Sequence, residues 1–192
     1  MMGSALNDTQ YDLINAFKEL MDEHPFKKIT IKMITDKANV IRPTFYKYFQ
    51  DKYQLFEIIL DDDLFDALYD LLQIDLYKEA LTMIFSYFDK NHIYYQKAFD
   101  IDGQNSFTEL LVLRFKKLFK FFMAQRRLKL TETAEIFEPE QVAILYSINI
   151  TSFLQIWLQN YEKVDRPVEE IIKFYIFIVS HDINDIFETN EE

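Results

Sequence analysis

Arg42, Thr44, Tyr46 and Lys47 stand within six consecutive positions, and Lys52 follows five residues later. These side chains are donors, with no activated nucleophile among them. A guanidinium can bond O6 and N7 of one guanine at once, which discriminates against other bases by roughly 1–3 kcal/mol. Hydroxyl, phenol and ammonium groups suit phosphate oxygens, and such contacts fix register without carrying sequence information. The chemistry suggested is recognition of a nucleic-acid polyanion, with Arg42 as base reader. Lys52 is expected at the start of a helix whose free backbone amides already favour an anion.

A net charge of −11 over 192 residues opposes that reading, because phosphate neutralisation needs clustered cations. The distribution matters more than the sum. Between Phe26 and Tyr53 lie seven basic residues (Lys27, Lys28, Lys32, Lys37, Arg42, Lys47, Lys52) and two acidic ones (Asp36, Asp51), a local balance of +5 that leaves −16 on the other 164 residues. One face then attracts a polyanion while the body repels it, which favours a single docking orientation.

Other chemistries find little support. His24, His92 and His181 are scattered, and no Ser/His/Asp, HExxH or Gly-rich phosphate motif is present. The absence of cysteine removes disulfides and thiolate sites and fits a reducing interior. Asp61, Asp62 and Asp63 would point in different directions on a helix and cannot converge on one ion, so a solvated turn is expected. His181 and Asp185 share a helix face, but two ligands make a weak metal site. The chain is expected not to be an enzyme and to need no cofactor or metal.

The elements that must position the reading residues follow from composition and spacing. Two Gly and four Pro, with 49% hydrophobic and 17% aromatic residues, favour a folded all-α protein of long helices. Leu13, Ala16, Phe17, Leu20 and Met21 mark a first helix, with Thr9 and Asp12 as its capping pair and His24-Pro25 as its stop. Thr30 caps a short second helix over 31–38, and Asn39-Val40 breaks the period. Pro43 suits the first turn of a third helix ending near Tyr48. Asp51 caps a fourth, whose stripe is Leu55, Phe56, Ile59, Leu60, Leu64, Leu68, Leu71 and Leu72. Further helices are expected near 76–89, 92–100, 105–130, 139–162 and 168–189. A short helix, tight turn and second short helix is the arrangement that lays a helix in the major groove. Read without function, the same segment is an amphipathic hairpin with aromatic core and solvated lysines; spacing, charge and motif together argue against that. Apolar runs such as Phe174 to Val179 fall short of the ~20 residues that cross a bilayer, and no basic-then-apolar secretory start is seen, so a cytoplasmic location is expected.

The stretch from Thr30 to Leu55, above all Thr44-Phe45-Tyr46-Lys47-Tyr48-Phe49 followed by Asp51-Lys52 and Leu55, resembles the DNA-binding signature of TetR-family regulators. The resemblance covers residues 9–60. It implies a helix-turn-helix DNA-binding domain over 8–53 and a helical effector-binding and dimerisation domain over 54–189. It also implies phosphate contacts from Thr30, Thr44, Tyr46 and Lys52 and base contacts from Arg42 and Pro43, with Lys47 and Tyr48 as further candidates. The family usually has glycine where this chain has Asn39, and asparagine tolerates left-handed geometry. It often has a small polar residue where Ile41 stands, which leaves the cap of the reading helix open. Phe45 and Phe49 are expected in the core. A later stretch, Tyr87 to Phe99, is similar to the subgroup that contains regulators of dihydroxyacetone kinase operons.

The last two expected helices are richer in apolar residues than one buried face requires. Ile144, Leu145, Ile148, Phe153, Ile156 and Trp157 face Ile172, Tyr175, Ile176, Val179, Ile183 and Phe187 in an expected antiparallel hairpin, and the surplus suggests a homodimer through a second face. Such a dimer, binding double-stranded DNA, would read an inverted repeat, with repression the expected sense of regulation. A small-molecule effector site is expected in the body, with Tyr95, Phe99, Phe119, Tyr146, Asn149 and Trp157 as candidate ligand-binding residues. Asn149 and Gln155 are the better pointers, because a buried amide needs a partner. The alternative is a co-regulator of the same fold whose input is a protein partner.

Overall fold

A computed structural model describes residues 6–101, 106–124, 126 and 138–186, and among these every regular element is helical. The cap of helix α1 (Asp8–Glu23) lies two residues earlier than expected. Asn7, not Thr9, accepts from the Gln10 amide at 3.0 Å, while the Gln10 side chain accepts from the Asn7 amide at 3.1 Å. Asparagine outranks threonine as a cap, and the reciprocal pair satisfies two free donors. The helix ends where Pro25 forces His24 into an extended conformation. Its inner face buries Leu13, Ile14, Ala16, Phe17, Leu20 and Met21.

A 3-10 turn (Phe26–Lys28) leads to α2 (Ile31–Lys37), whose Met33 amide donates to the Thr30 hydroxyl. Asn39 then takes the left-handed conformation, φ 54°, that closes the turn into α3 (Arg42–Tyr48). Helix α4 (Lys52–Leu60) begins at Asp51, whose carboxylate accepts from the Tyr53 and Gln54 amides at 2.8 Å each.

The expected single connector helix is interrupted. Asp61–Phe65 form a π turn, with the Asp66 amide donating five residues back to the Asp61 carbonyl, before α5 (Asp66–Gln73) resumes. The sequence contains the reason. Leu60, Leu64, Leu68 and Leu72 repeat every four residues, so each step advances about 40° beyond a full α-turn. One extra residue in a π turn absorbs that drift and keeps Leu60, Leu64, Leu68 and Leu72 buried together.

Asp75, left-handed at φ 63°, turns the chain into α6 (Tyr77–Lys90), followed by α7 (His92–Phe99), α8 (Phe107–Ala124) and α9 (Pro139–Gln159). The expected continuation of the 105–130 helix past Ala124 lies, apart from Arg126, outside the described residues. Helix α9 ends where the Asn160 side chain donates to the Ile156 carbonyl; α10 (Tyr161–Val164) and a left-handed Asp165 then reverse the chain into α11 (Val168–Ser180). The expected helix to 189 stops at His181, beside Ser180, whose hydroxyl turns back onto the Ile176 carbonyl. A short α12 (Ile183–Ile186) follows, and Phe187 lies outside the described residues.

Helices α8 and α9 pack along their length, α7 lies on α9, and α11 packs on α6. The expected α9–α11 hairpin is therefore corrected: α11 meets α9 through side chains, Phe153 against Tyr175 with ring centres 4.9 Å apart, but its backbone rests on α6. Phe85 of α6 is the cause, since it fills the space between Phe153, Trp157 and Tyr175 at 5.3–5.8 Å. The apolar core runs without a break from Leu13 to Tyr175. Contrary to the run-length expectation, α9 is long and apolar enough to span a bilayer by length and composition. Its inner face, Ala143, Ser147, Ile150, Thr151, Leu154, Trp157 and Leu158, is instead buried in the protein.

Candidate nucleic-acid interface

Helix α3 is built so that its ends and outer face carry chemistry while its inner face anchors it. Phe45 and Phe49 are fully buried and pack on each other with tilted rings 5.5 Å apart, as expected of core residues. Arg42, Pro43, Tyr46 and Lys47 are exposed, and Thr44 and Tyr48 are partly so. Arg42 donates to the Tyr46 hydroxyl at 3.1 Å, and Lys47 lies over the Tyr48 ring at 5.2 Å. The first contact pre-orders the guanidinium along the helix face; neither Arg42 nor Lys47 has a carboxylate partner among the described residues.

Ile41 is the cap position of α3; it has no side-chain bond and is 69% exposed. Pro43 carries no N–H and the Thr44 amide closes on the Ile41 carbonyl at 2.9 Å, so this helix end offers a bound group little beyond the Arg42 amide. Thr30 is exposed at the start of α2, near enough to solvent for a phosphate, though its hydroxyl already accepts from Met33.

The remaining cations of the basic segment divide by role. Lys32 pairs with Asp36 at 2.5 Å, and Lys37 bridges Glu19 and Glu23 of α1 at 3.0 Å each, tying α2 to α1. That bond raises the Lys37 ammonium and lowers the Glu23 carboxyl from their usual ranges. Lys52 departs from its expected role. Its ammonium donates to the Phe26 carbonyl at 2.7 Å and the Ile29 carbonyl at 2.9 Å and sits 4.2 Å above the Phe26 ring. Burial lowers its pKa. The α4 amides that were to share an anion with it are capped by Asp51. Lys52 therefore holds the turn that carries Thr30.

The candidate effector residues do not gather around one cavity. Tyr95 is buried with its hydroxyl 2.5 Å from that of Tyr87, and Phe99 packs edge-on against Phe107 at 4.8 Å. Phe119 and Tyr146 pack on each other at 5.7 Å, with Tyr146 52% exposed. Asn149 is exposed, which corrects its expected burial: it lies two positions, about 200° of helix, from the buried Ser147. Gln155 is half-buried. Trp157 edges a 280 Å³ depression with Tyr161, Glu162, Asp165 and Arg166.

Polar joints between elements were not foreseen from sequence. Asp61 and Asp63 are not a solvated turn: Arg114 of α8 bonds both Asp61 oxygens, at 2.6 and 2.9 Å, and Lys18 of α1 bonds Asp63 at 2.6 Å. Lys97 of α7 reaches the Met21 and Asp22 carbonyls at the end of α1. No sequence pattern pairs residues 45 or 53 positions apart; the one available hint is that three adjacent carboxylates on a helix need cations nearby.

With this geometry in place, comparison with known proteins is decisive for the N-terminal segment. Residues 13–59 match the family described as bacterial regulatory proteins, tetR family. The N-terminal segment is thus similar to the DNA-binding domain of the tetR family. Over 110 residues it is 31% identical to the HTH-type dhaKLM operon transcriptional activator DhaS of Lactococcus lactis subsp. lactis (strain IL1403), covering 57% of this chain. The match spans 58% of that relative's length. Among solved structures, the dihydroxyacetone kinase operon activator DhaS superimposes with a TM-score of 0.61 at 22% identity, over 95% of this chain and 99% of that one. A TetR transcriptional regulator from Streptococcus agalactiae 2603V gives 0.57 at 23% identity, over 90% and 94%. The fold of the whole chain is TetR-like, and the tetR-family segment coincides with α1 to α4.

Proposed function

We propose that this chain is a DNA-binding transcription regulator of the tetR family that reads an inverted-repeat operator as a homodimer. The observation that carries the reading is α3 itself. Buried Phe45 and Phe49 fix a helix whose opposite face presents Arg42, Tyr46 and Lys47 to solvent. In this reading residues 8–53 form the DNA-binding domain and 54–189 the regulatory one. Arg42 and Pro43 read bases, with Lys47 and Tyr48 beside them, while Thr30, Thr44 and Tyr46 hold phosphates. Lys52 acts by supporting the Thr30 turn.

Dimerisation is supported by the uncovered apolar faces of α9 and α11, where Leu145, Ile148, Ile156, Phe174 and Ile176 are all exposed. An isologous pairing of these helices would bury them and set two reading heads about one DNA turn, ~34–36 Å, or a multiple apart. The site of action is the cytoplasm, where operator DNA lies. Repression needs only occupancy of an operator, and a promoter–reporter fusion that rises on deleting the gene supports it; a fall supports activation, the sense carried by the name of the L. lactis relative.

The regulatory input is proposed to be a small molecule; the Thermus thermophilus FadR repressor, a structural neighbour, is solved in complex with lauroyl-CoA. A second reading, a protein partner as input, is favoured by the ring-filled junction of α6, α9 and α11. Mobility-shift titration with purified chain tests the DNA reading. Binding that weakens steeply with salt and depends on Arg42 supports it; no affinity above that for unrelated duplex overturns it.

A further inference from the structure

The triple carboxylate Asp61-Asp62-Asp63 sits in the π turn, and its outer members face opposite ways. Asp61 receives the Arg114 guanidinium in a two-point bond, with Glu57 one turn earlier taking a third contact at 3.3 Å. Arg114 is only 15% exposed and belongs to α8, in the body. Asp63 receives Lys18 of α1, in the reading head, at 2.6 Å, and the Tyr87 hydroxyl of α6 at 3.1 Å. Because a carboxylate only accepts, Tyr87 donates to Asp63, and Tyr95 must then donate to Tyr87 across their 2.5 Å contact. Burial and the Asp63 charge hold both phenols in the neutral form that this chain of donors requires.

The alternative to this turn is an unbroken α-helix. An uninterrupted α-helix over the same residues would rotate α5 by about 100° relative to α4 and carry Leu68 and Leu72 progressively away from the face of Leu60. Three adjacent carboxylates also repel, and burial raises the Asp61 carboxyl despite Arg114. What secures the turn is the pair of basic side chains drawn from two different parts of the molecule.

We propose that the π turn is a two-sided latch, in which Asp63 holds α1 of the reading head and Asp61 holds α8 of the body, so that one turn of the connector sets the attitude of head on body. The bearing of the latch on operator affinity rests on the regulator reading above; the latch itself does not.

Amide hydrogen exchange of the full chain, without DNA, tests it. Asp63→Asn and Lys18→Met should each speed exchange in peptides from α1 to α3 by about three- to tenfold, with the double variant no faster than either single one. Peptides from α8 and α9 should be unchanged. Asp61→Asn should do the reverse, loosening α5 and α8 while leaving α1 to α3 as they were. Unchanged α1–α3 exchange in Asp63→Asn, a uniform rise over all peptides, or the same pattern from Asp61→Asn and Asp63→Asn would each overturn the proposal. Failure to bind DNA would leave these results untouched.

Discussion

Two surfaces of this chain are uncovered in the monomer, the outer face of α3 and the outer faces of α9 and α11, and they are uncovered for opposite reasons. The first presents Arg42, Tyr46 and Lys47 over a buried aromatic anchor. The second presents Ile148, Ile156, Phe174 and Ile176, with Lys173 of α11 the one cation within the two helices. Water tolerates the first and penalises the second at roughly 25 cal/mol per Å² of apolar area. A single polar face is complete until a polyanion arrives, whereas the apolar face asks for a permanent cover. In the proposed reading the first is a reversible interface and the second an obligate one, and each can be broken alone.

The largest effect is expected on the apolar face. Ile156 is 63% exposed, so Ile156→Asp leaves the monomer core intact but places a like-charged pair near a two-fold contact, at a cost of several kcal/mol. Sedimentation should shift from twice the 23.2 kDa chain mass to the single mass, with helical content unchanged. A variant that still sediments as a dimer would move the interface elsewhere. Next comes Arg42→Ala, which should weaken binding to a preferred duplex by about 1–3 kcal/mol and flatten preference at one base pair, with little effect on non-specific duplex.

Two lysines then sharpen the distinction between contact and support. Lys47→Met should lower affinity evenly across sequences and reduce the salt slope by about one, leaving the melting temperature alone. Lys52→Met should do the opposite in stability, losing two charge-assisted bonds to the Phe26 and Ile29 carbonyls, of order 1–3 kcal/mol. Equal effects of the two on the salt slope would return Lys52 to the phosphate contacts. The smallest effect concerns alkaline pH. Burial pushes Tyr175 up to about 12, so its folded state keeps a proton that the unfolded chain loses near pH 10. Its contribution is fully present below pH 10 and is lost as pH rises towards 12; urea midpoints across that range should fall less for Tyr175→Phe than for the wild type.

The same contrast explains what the sequence disclosed. Residues 30–52 were legible because each local signal there acts over a few positions: Thr30 and Asp51 as caps, Asn39 at positive φ, Phe45 and Phe49 four apart on the inner face. Element positions in the body followed from apolar period for the same reason. Packing between elements did not. Nothing local distinguishes an α6–α11 contact from an α9–α11 hairpin until Phe85 is seen to occupy the gap. Lys52 reads from sequence as a phosphate contact because carbonyls 23 and 26 residues away leave no trace in composition. Asn149 read as buried because an amide in an apolar run is ambiguous until the helix phase is set by Ser147 and Ile150. The connector showed the limit most clearly: the four-residue leucine repeat was visible, but the π turn that reconciles it with a helix was not inferred.

The central claim, that α3 reads DNA for a two-fold dimer, is met most directly by selection from a random duplex library with the purified full-length chain, run beside Arg42→Ala. The account predicts enrichment of an inverted repeat whose half-sites lie about one helical turn or a multiple apart, with the preference at one position of each half-site lost in the variant. Enrichment of no sequence, or an identical preferred site from wild type and Arg42→Ala, would contradict it.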